Sequence, residues 1–493
     1  MITIGEDSLG VNGRPTAARL LAAARRPVEA PRKEAGAMRK SRRFDTGAVI
    51  AYSIAVAMPS SSQTVVIPAF PELIRHHGWS ASSLAWLVSA FLVTASIAAP
   101  LFGRTGDLKG RRRLITATAA FYFAGSAICL VDVGSVPLVI LGRGLQGLSA
   151  GVFVLQIATA QELLPATRRA VTIGLLSGIV GIGPALGFLG GGFLTSTFGV
   201  EAIFITGMAV SGVTTVVLWL LGPASGGRAT GSVDSFGAAL LAVWFVGLLS
   251  TLALGGSVGW SSWATIGVAV ASVCTFLAWL RYQWSSSSPL VDLRTLRLPE
   301  IRLGNAATVA NACAAFGLFL AVPQLLQSSP DEAGYGLSPI GVGAVLAPAA
   351  AVMAIVGPLA GWMGSRVGHH VPAVIGNLVC AGGLGAMTFW HGSMSAVLAW
   401  FIVSAVGLGL TFPALPSLVM GAVPQSDAGA AAGLNSLSRG IGSAVGAQIA
   451  AALLFVQVAS SPGAAFPRTF MASALFALVA AAFVAAVPRR RRV

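Results

Sequence analysis

Fourteen times between residues 47 and 487 the chain presents an apolar stretch of roughly 20 residues almost free of charge. A helix of about 20 residues is about 30 Å long, which matches the hydrocarbon core of a bilayer. In lipid, only helices and closed barrels satisfy every backbone polar group, and a barrel would alternate apolar and polar residues along strands of about ten residues. These segments do not alternate. Charged residues make up only 10% of the chain, against about 25% in soluble proteins, so a soluble fold would lack a polar surface. The chain reads as an all-α polytopic membrane protein.

The expected spans are 47–69, 82–102, 114–133, 137–160, 171–193, 200–221, 236–255, 262–282, 303–325, 339–360, 371–390, 396–420, 428–457 and 467–487. An even number places both termini on one side. With that side cytoplasmic, 27 of the 31 Lys and Arg lie on it, counting Arg281 at the cytoplasmic end of span 262–282; only Arg75 and Arg468 lie opposite, and Arg143 and Arg439 fall deeper inside spans. This asymmetry satisfies the positive-inside rule and predicts a multi-pass protein of the inner or plasma membrane with cytoplasmic termini. The net charge of +15 is thereby a topological signal and calls for no nucleic acid partner.

Residues 1–44 are Arg-rich and lack an apolar run, which suits a disordered basic tail beside an anionic leaflet and not a signal peptide. Met38 is an alternative translation start. The Gly/Ser-rich stretch 222–235 reads as a flexible cytoplasmic linker after a six-helix half, 45–221. An inserted helix pair (236–282), a cytoplasmic loop (283–302), a second six-helix half (303–487) and a basic tail (488–493) complete the expected order. An internal repeat supports it: "PLFGRTGDLKG" (100–110) and "PLAGWMGSRVG" (358–368) share Pro, Leu and three Gly, each after the second helix of a six-helix block. Two related membrane halves around a common site describe a secondary transporter.

Three further stretches carry recognisable chemistry. "GRTGDLKGRRR" (103–113) lies between spans 2 and 3, where Gly103 and Gly110 allow a tight turn and Asp107 can pair with an arginine such as Arg111. Arg113 and its neighbours alone would satisfy a solvated basic loop; the Gly/Asp spacing asks for more. "LGRGLQG" (141–147) puts Arg143 inside span 4, where a charge must face a cavity or partner unless it snorkels to the headgroups, with Gln146 one turn on. "GIVGIGPALGFLGGG" (178–192) has Gly183, Pro184 and Gly187 in span 5, a spacing that lets helix backbones touch and bends the helix; generic small-residue packing would use the same residues.

On these motifs residues 45–487 resemble the major facilitator superfamily, specifically its fourteen-helix drug:proton antiporter group. The resemblance implies that Gly103, Asp107, Gly110 and Arg111 form a conformational latch stabilising the outward-open state. It implies that Arg143 serves proton relay or substrate contact, and that Gly183, Pro184 and Gly187 are the fifth-helix motif of exporters. The second-half copy of the latch has Ser365 in place of the acid. Relatives carry a first-helix acid in an Asp-x-Thr pattern before Ala-x-Pro. Aligned on Thr64 and "AFP" (69–71), this chain has Ser62 there. It also has "FGVEAIF" (198–204), with Glu201, where relatives have Trp-Arg-Trp.

The lysines are Lys33, Lys40 and Lys109, and none follows a glycine, so no G-K-[ST] phosphate loop exists in this chain. An ion gradient is the expected energy source, with protons as the implied ion. Yet none of the sixteen acids lies at mid-span; the nearest, Asp132, Glu162 and Glu201, sit near span ends. Gln63, Thr64, Gln156, Asn305, Asn311, Gln324 and Asn435 are candidate cavity residues or interhelical bonds. Arg439, about three turns into span 13, is a further transport candidate. The four cysteines lie in apolar segments and read as core, and the five histidines show no metal spacing, so neither a metal nor a cofactor is expected. No Ser/His/acid set suggests an enzyme.

The expected function is export of small apolar or cationic compounds, antibiotics among them, by proton antiport and alternating access in a monomer. An exporter of another amphiphile or lipid-linked substrate has the same fold, and a non-transporting sensor or scaffold is the alternative of another class. The stretch "AMPSSSQTVV" (57–66) is expected to kink and soften the first helix, its serines re-satisfying carbonyls near Pro59.

Overall fold

A computed structural model of the chain describes residues 46–493 apart from 165, 222–231, 288, 333, 424–427, 456–463 and 489–493, and omits some side chains, chiefly in 46–51 and 165–185. The expectations for the 1–44 tail with Met38, most of the 222–235 linker and the 488–493 tail fall outside the described residues.

The long helices are α1 (Thr46–Ser62), α2 (Ala81–Lys109), α3 (Arg111–Val131), α4 (Val136–Leu163), α5 (Ala166–Phe198), α6 (Glu201–Leu221) and α7 (Ser235–Ser257). They continue with α8 (Trp263–Ser285), α9 (Pro299–Gln327), α10 (Pro339–Val367), α11 (His370–Phe389), α12 (Met394–Met420), α13 (Ala428–Phe455) and α14 (Ala465–Ala485). Among the described residues, twelve helices are long and apolar enough to cross a membrane; α1 and α5 are outside that set.

Two segments depart from their expected spans. The first span, 47–69, is not one helix. α1 continues past Pro59 to Ser62, and the chain then turns into a 3-10 segment (Ile67–Ala69) and a short helix (Phe70–His77). Ser60 Oγ donates to Val56 O at 2.7 Å and Ser61 Oγ to Met58 O at 3.1 Å; neither is the Ala55 carbonyl that Pro59 leaves without its helical donor. Second, residues 103–109 are not loop but the last turns of α2, and 361–367 likewise end α10. Hydropathy marks where lipid ends, whereas helical hydrogen bonding continues into the interface. Gly110, at φ +95°, separates α2 from α3, and Gly368, at φ +87°, with His369 separates α10 from α11; each glycine N–H donates at 3.0 Å to the carbonyl four residues earlier. A side chain is strained at such φ, which accounts for glycine in both copies.

The internal repeat extends to packing. α1 packs on α5 and α6, α3 on α4 and α6, and α2 on α4. The pairs α9 with α13 and α14, α11 with α12 and α14, and α10 with α12 reproduce that order eight helices later. The two sets meet where α2 lies along α13 and α5 along α10, and α7 of the intervening pair touches both α2 and α13. α9 is buried along nearly its whole length, from Glu300 to Leu326. Cys129, Cys313 and Cys380 are buried as expected of core residues; Cys274 is exposed on α8, so it belongs to the outer face of the helix layer.

Candidate functional site

Arg143 is 1% exposed, which excludes snorkelling. Its guanidinium instead ties three helices together. Nη1 donates to Ser62 Oγ and to Gln146 Oε1, both at 2.7 Å. Nη2 donates to the Ser62 carbonyl at 2.7 Å and Nε to the Leu87 carbonyl at 3.0 Å. The charge also lies 4.8 Å above the Phe91 ring. Gln146, one turn on as the spacing suggested, passes the network to Ser126 Oγ at 2.8 Å. Because α1 ends at Ser62, the Ser62 carbonyl lacks a helical donor, and Arg143 supplies one. A buried arginine with four hydrogen bonds and a freed carbonyl answered by charge offset each other's cost.

The Gly-rich face of α5 packs on this broken end of α1. Thr64 Oγ1 donates to the Pro184 carbonyl at 2.6 Å. A methyl group at Gly183 would collide with the Ser60 backbone, at Gly187 with the Ser61 carbonyl and Thr64 Oγ1, and at Gly191 with the Val65 carbonyl, whereas Gly190 faces open space. Thus the motif in span 5 and the polar stretch in span 1, two separate features of the sequence, form a single contact. Gln63 is half-buried beside it.

The latch candidates converge at the Lys109 end of α2. Arg111 bonds Asp107 Oδ1 through Nη2 at 2.6 Å and Nε at 3.2 Å, and through Nη1 reaches Glu162 Oε2 at 2.7 Å and the Ala158 carbonyl at 3.1 Å. Gly103 lies against Val154 and Gly106 against Leu155, so α2 and α4 meet closely there. Glu162, noted in the sequence only as an acid near a span end, is the partner sequence reasoning missed. In the second copy, Ser365 turns back to the Trp362 carbonyl at 2.7 Å and joins no such network.

In the second helix set, a neutral cluster takes the position of the Arg143 network. Asn311 Nδ2 donates to Asn377 Oδ1 at 2.9 Å and Thr411 Oγ1 at 3.2 Å. Asn377 and Thr411 were missed, although the sequence held a signal. "GSAIC" (125–129) pairs with "GNLVC" (376–380), and "GRGLQ" (142–146) with "GLGLT" (407–411). Gly142 lies against the Gly125 carbonyl and Cys129, and Gly407 against the Gly376 carbonyl and Cys380. The alignment sets Ser126 against Asn377, Gln146 against Thr411, and Arg143 against Leu408. Asn435 bonds Asn305 at 3.3 Å and Thr308 at 2.8 Å, joining α13 to α9. These residues and Thr64 are interhelical bonds; Gln156 and Gln324 are buried, with the Gln156 amide and Gln324 Nε2 lacking a partner among the described residues.

Arg439 is half-buried in the middle of α13 and, among the described residues, makes one hydrogen bond, Nη2 to the Phe412 carbonyl at 3.3 Å, with its charge 5.3 Å over the Phe412 ring. Pro416, four residues after Phe412, has no N–H to give that carbonyl. No group of three or more His, Cys, Asp or Glu that could hold a metal occurs among the described residues.

Residues 52–447 and 305–493 match the family model described as Major Facilitator Superfamily. The chain is 27% identical over 424 residues to the tetracenomycin C resistance and export protein of Streptomyces glaucescens, covering 85% of this chain and 77% of that one. It is 28% identical over 411 residues to the multidrug resistance protein Stp of Mycobacterium tuberculosis, covering 82% and 75%. Among solved structures, the human organic anion transporter TETRAN superposes with a TM-score of 0.59 at 16% identity, over 90% of this chain and 99% of that one. The Escherichia coli xylose transporter XylE, in a partially occluded inward-open conformation, gives 0.59 at 13% identity over the same shares. At such identities these two structures speak to the fold alone.

Proposed function

Because the chain belongs to the major facilitator superfamily, we propose that it exports small, largely apolar organic compounds, antibiotics among them, by alternating access. The observation that carries this reading is the contact between the two helix sets. α2 meets α13 with Gly440 against Ser96 and Gln448 bonded to Ser89 at 3.3 Å; α5 meets α10 with Gly192 against the Pro339 backbone. Small residues and few bonds at both seams suit bodies that rock against each other. The resistance and export names of the relatives support the substrate class.

In this reading α1 and α5 join the other twelve as spans, 45–221 and 303–487 are the moving halves, and 236–282 is an inserted pair. The termini lie in the cytoplasm of a cell-membrane protein acting as a monomer. The Asp107–Arg111–Glu162 network acts as the latch, and Arg143 fixes α1 to α2 and α4 around the transport path. Proton antiport is the coupling the resemblance implies. The acid expected for it is replaced by Ser62, whose hydroxyl accepts from Arg143.

Purified protein in sealed vesicles, given a panel of labelled antibiotics with and without an imposed pH gradient, tests both levels. Movement of at least one compound is expected. A folded protein that moves none contradicts export, and movement indifferent to the gradient contradicts proton antiport.

A further inference from the structure

The membrane interior of this chain holds positive charge without negative charge. Every carboxylate within a described helix is close to a helix end: Asp107 two residues before the end of α2, Glu162 one before the end of α4, Glu201 first in α6, Glu300 second in α9. Glu72 is in the short helix Phe70–His77. Two arginines lie deep between those ends, and they differ in kind. Arg143 is enclosed and makes four hydrogen bonds within the fold. Arg439 has five N–H donors, of which one is used among the described residues, in a 3.3 Å bond.

The faces of α13 show where Arg439 points. Asn435, Gly442 and Gly446 form the stripe that packs on α9, and Gly433, Gly440 and Gln448 the stripe that packs on α2. At about 100° per residue, Arg439 falls in the arc between those stripes, together with Ser436 and Ser443. The opposite arc carries Leu434 in the main hydrophobic core with Ile441 and Val445 packed against it, and the buried Ser438. Arg439 therefore lies on the arc of α13 between its α9 face and its α2 face, where its guanidinium reaches Phe412 of α12. An arginine stays charged in such a place, and a lone guanidinium there attracts anions and repels cations.

We propose that Arg439 is the recognition site for an anionic group on the transported compound, so that the cargo is an amphiphilic organic anion, such as an aromatic carboxylate, sulfonate or phenolate, and not a cation. This rests on the export reading and narrows it. The planar fork of donors suits the oxygens of such a group, the Phe412 ring beside it suits an aromatic body, and Ser436 and Ser443 lie on the same arc. Export then needs no carboxylate in the chain, because a membrane potential negative inside drives an anion outward by itself.

Two dyes of one skeleton test the charge directly: 8-anilinonaphthalene-1-sulfonate, an anion, and N-phenyl-1-naphthylamine, its uncharged parent, with ethidium as the cation. Binding is titrated in neutral-lipid nanodiscs against empty discs, and flux is measured in vesicles. The anion is expected to bind at least about tenfold tighter than the other two, as a charge-assisted hydrogen bond implies. Arg439→Gln is expected to abolish that preference while leaving the uncharged dye unaffected, and Arg439→Lys to keep most of it. An unchanged thermal midpoint separates lost recognition from lost folding. Tighter binding of ethidium, no anion preference, or a preference intact in Arg439→Gln overturns the proposal. Flux of the uncharged dye or ethidium without selective anion binding leaves export standing and removes this inference. Selective anion binding without flux of any dye would instead support the site and contradict export.

Discussion

Arg143 and Ser62 show how one buried charge can set the end of a helix. Removing one partner of a buried charged network typically costs about 3–5 kcal/mol, because the remaining groups stay buried and unanswered. Arg143→Ala would leave the Ser62 and Leu87 carbonyls and Gln146 Oε1 without this donor. Ser62→Ala removes only the hydroxyl, one of four hydrogen bonds, and keeps the carbonyl contact; a single such bond to a charge is worth about 1.5–3 kcal/mol. Thermal unfolding in detergent should therefore place Arg143→Ala well below Ser62→Ala; equal midpoints would show that the bonds to the two carbonyls and Gln146 contribute nothing net. The sequence makes Arg143, and Gln146 one turn later, legible as a pair, because charge inside a span and helical spacing are local signals. That Ser62 ends α1 is not local. Only the arginine of a helix 81 residues later makes an unpaired carbonyl acceptable there.

At the scale of elements, the fourteen apolar stretches give helix positions to within a few residues almost everywhere, since lipid demands length and apolarity of each span independently. The misplaced ends of α2 and α10 lie where the chain leaves hydrocarbon, and there hydropathy carries no information about helix ends. The glycines of α5 are legible as a packing face but not as a face for α1 in particular. The structure separates them individually. Gly187→Ala is expected to force α1 and α5 apart, with a clear loss of thermal stability and of flux, because its methyl would meet the Ser61 carbonyl and Thr64 Oγ1. Gly190→Ala meets open space and should be neutral or gain up to about 1 kcal/mol from helix propensity. Identical effects at the two positions would mean that close approach is not what the motif provides.

The same scale explains the two copies of the motif at the ends of α2 and α10. Gly110 and Gly368 meet the same backbone need, whereas Asp107 has a partner network that Ser365 lacks. Asp107→Asn keeps the shape and removes the charge paired to Arg111. Since Asp107 is among the more exposed members of its network, and exposed pairs contribute about 1 kcal/mol or less, its stability should change little. Flux should nevertheless fall severalfold if the network holds one conformation against another. Normal flux at normal stability would remove the latch assignment and leave a basic interfacial loop.

The whole molecule repeats its helix packing eight helices apart but not its chemistry. The Arg143 network has a neutral counterpart at Asn311, Asn377 and Thr411, the latch has a copy without its acid, and α7 spans the α2–α13 seam. Such asymmetry is what two bodies of common design need if they are to differ in which side of a substrate they hold. The repeat is readable in one pair of motifs at the ends of α2 and α10; the matching "GRGLQ" and "GLGLT" stretches become meaningful only once both are seen against their neighbouring helices. Motion between the bodies is the central claim, and Ser89 of α2 against Gln448 of α13, 3.3 Å apart at their polar atoms, is where it can be stopped. In a cysteine-free background carrying Ser89→Cys and Gln448→Cys, a short, reducible bifunctional thiol reagent should abolish flux in vesicles in proportion to the fraction linked. Reduction should restore it, and either single cysteine should be indifferent to the reagent. Full flux through fully linked protein would contradict alternating access by these two bodies.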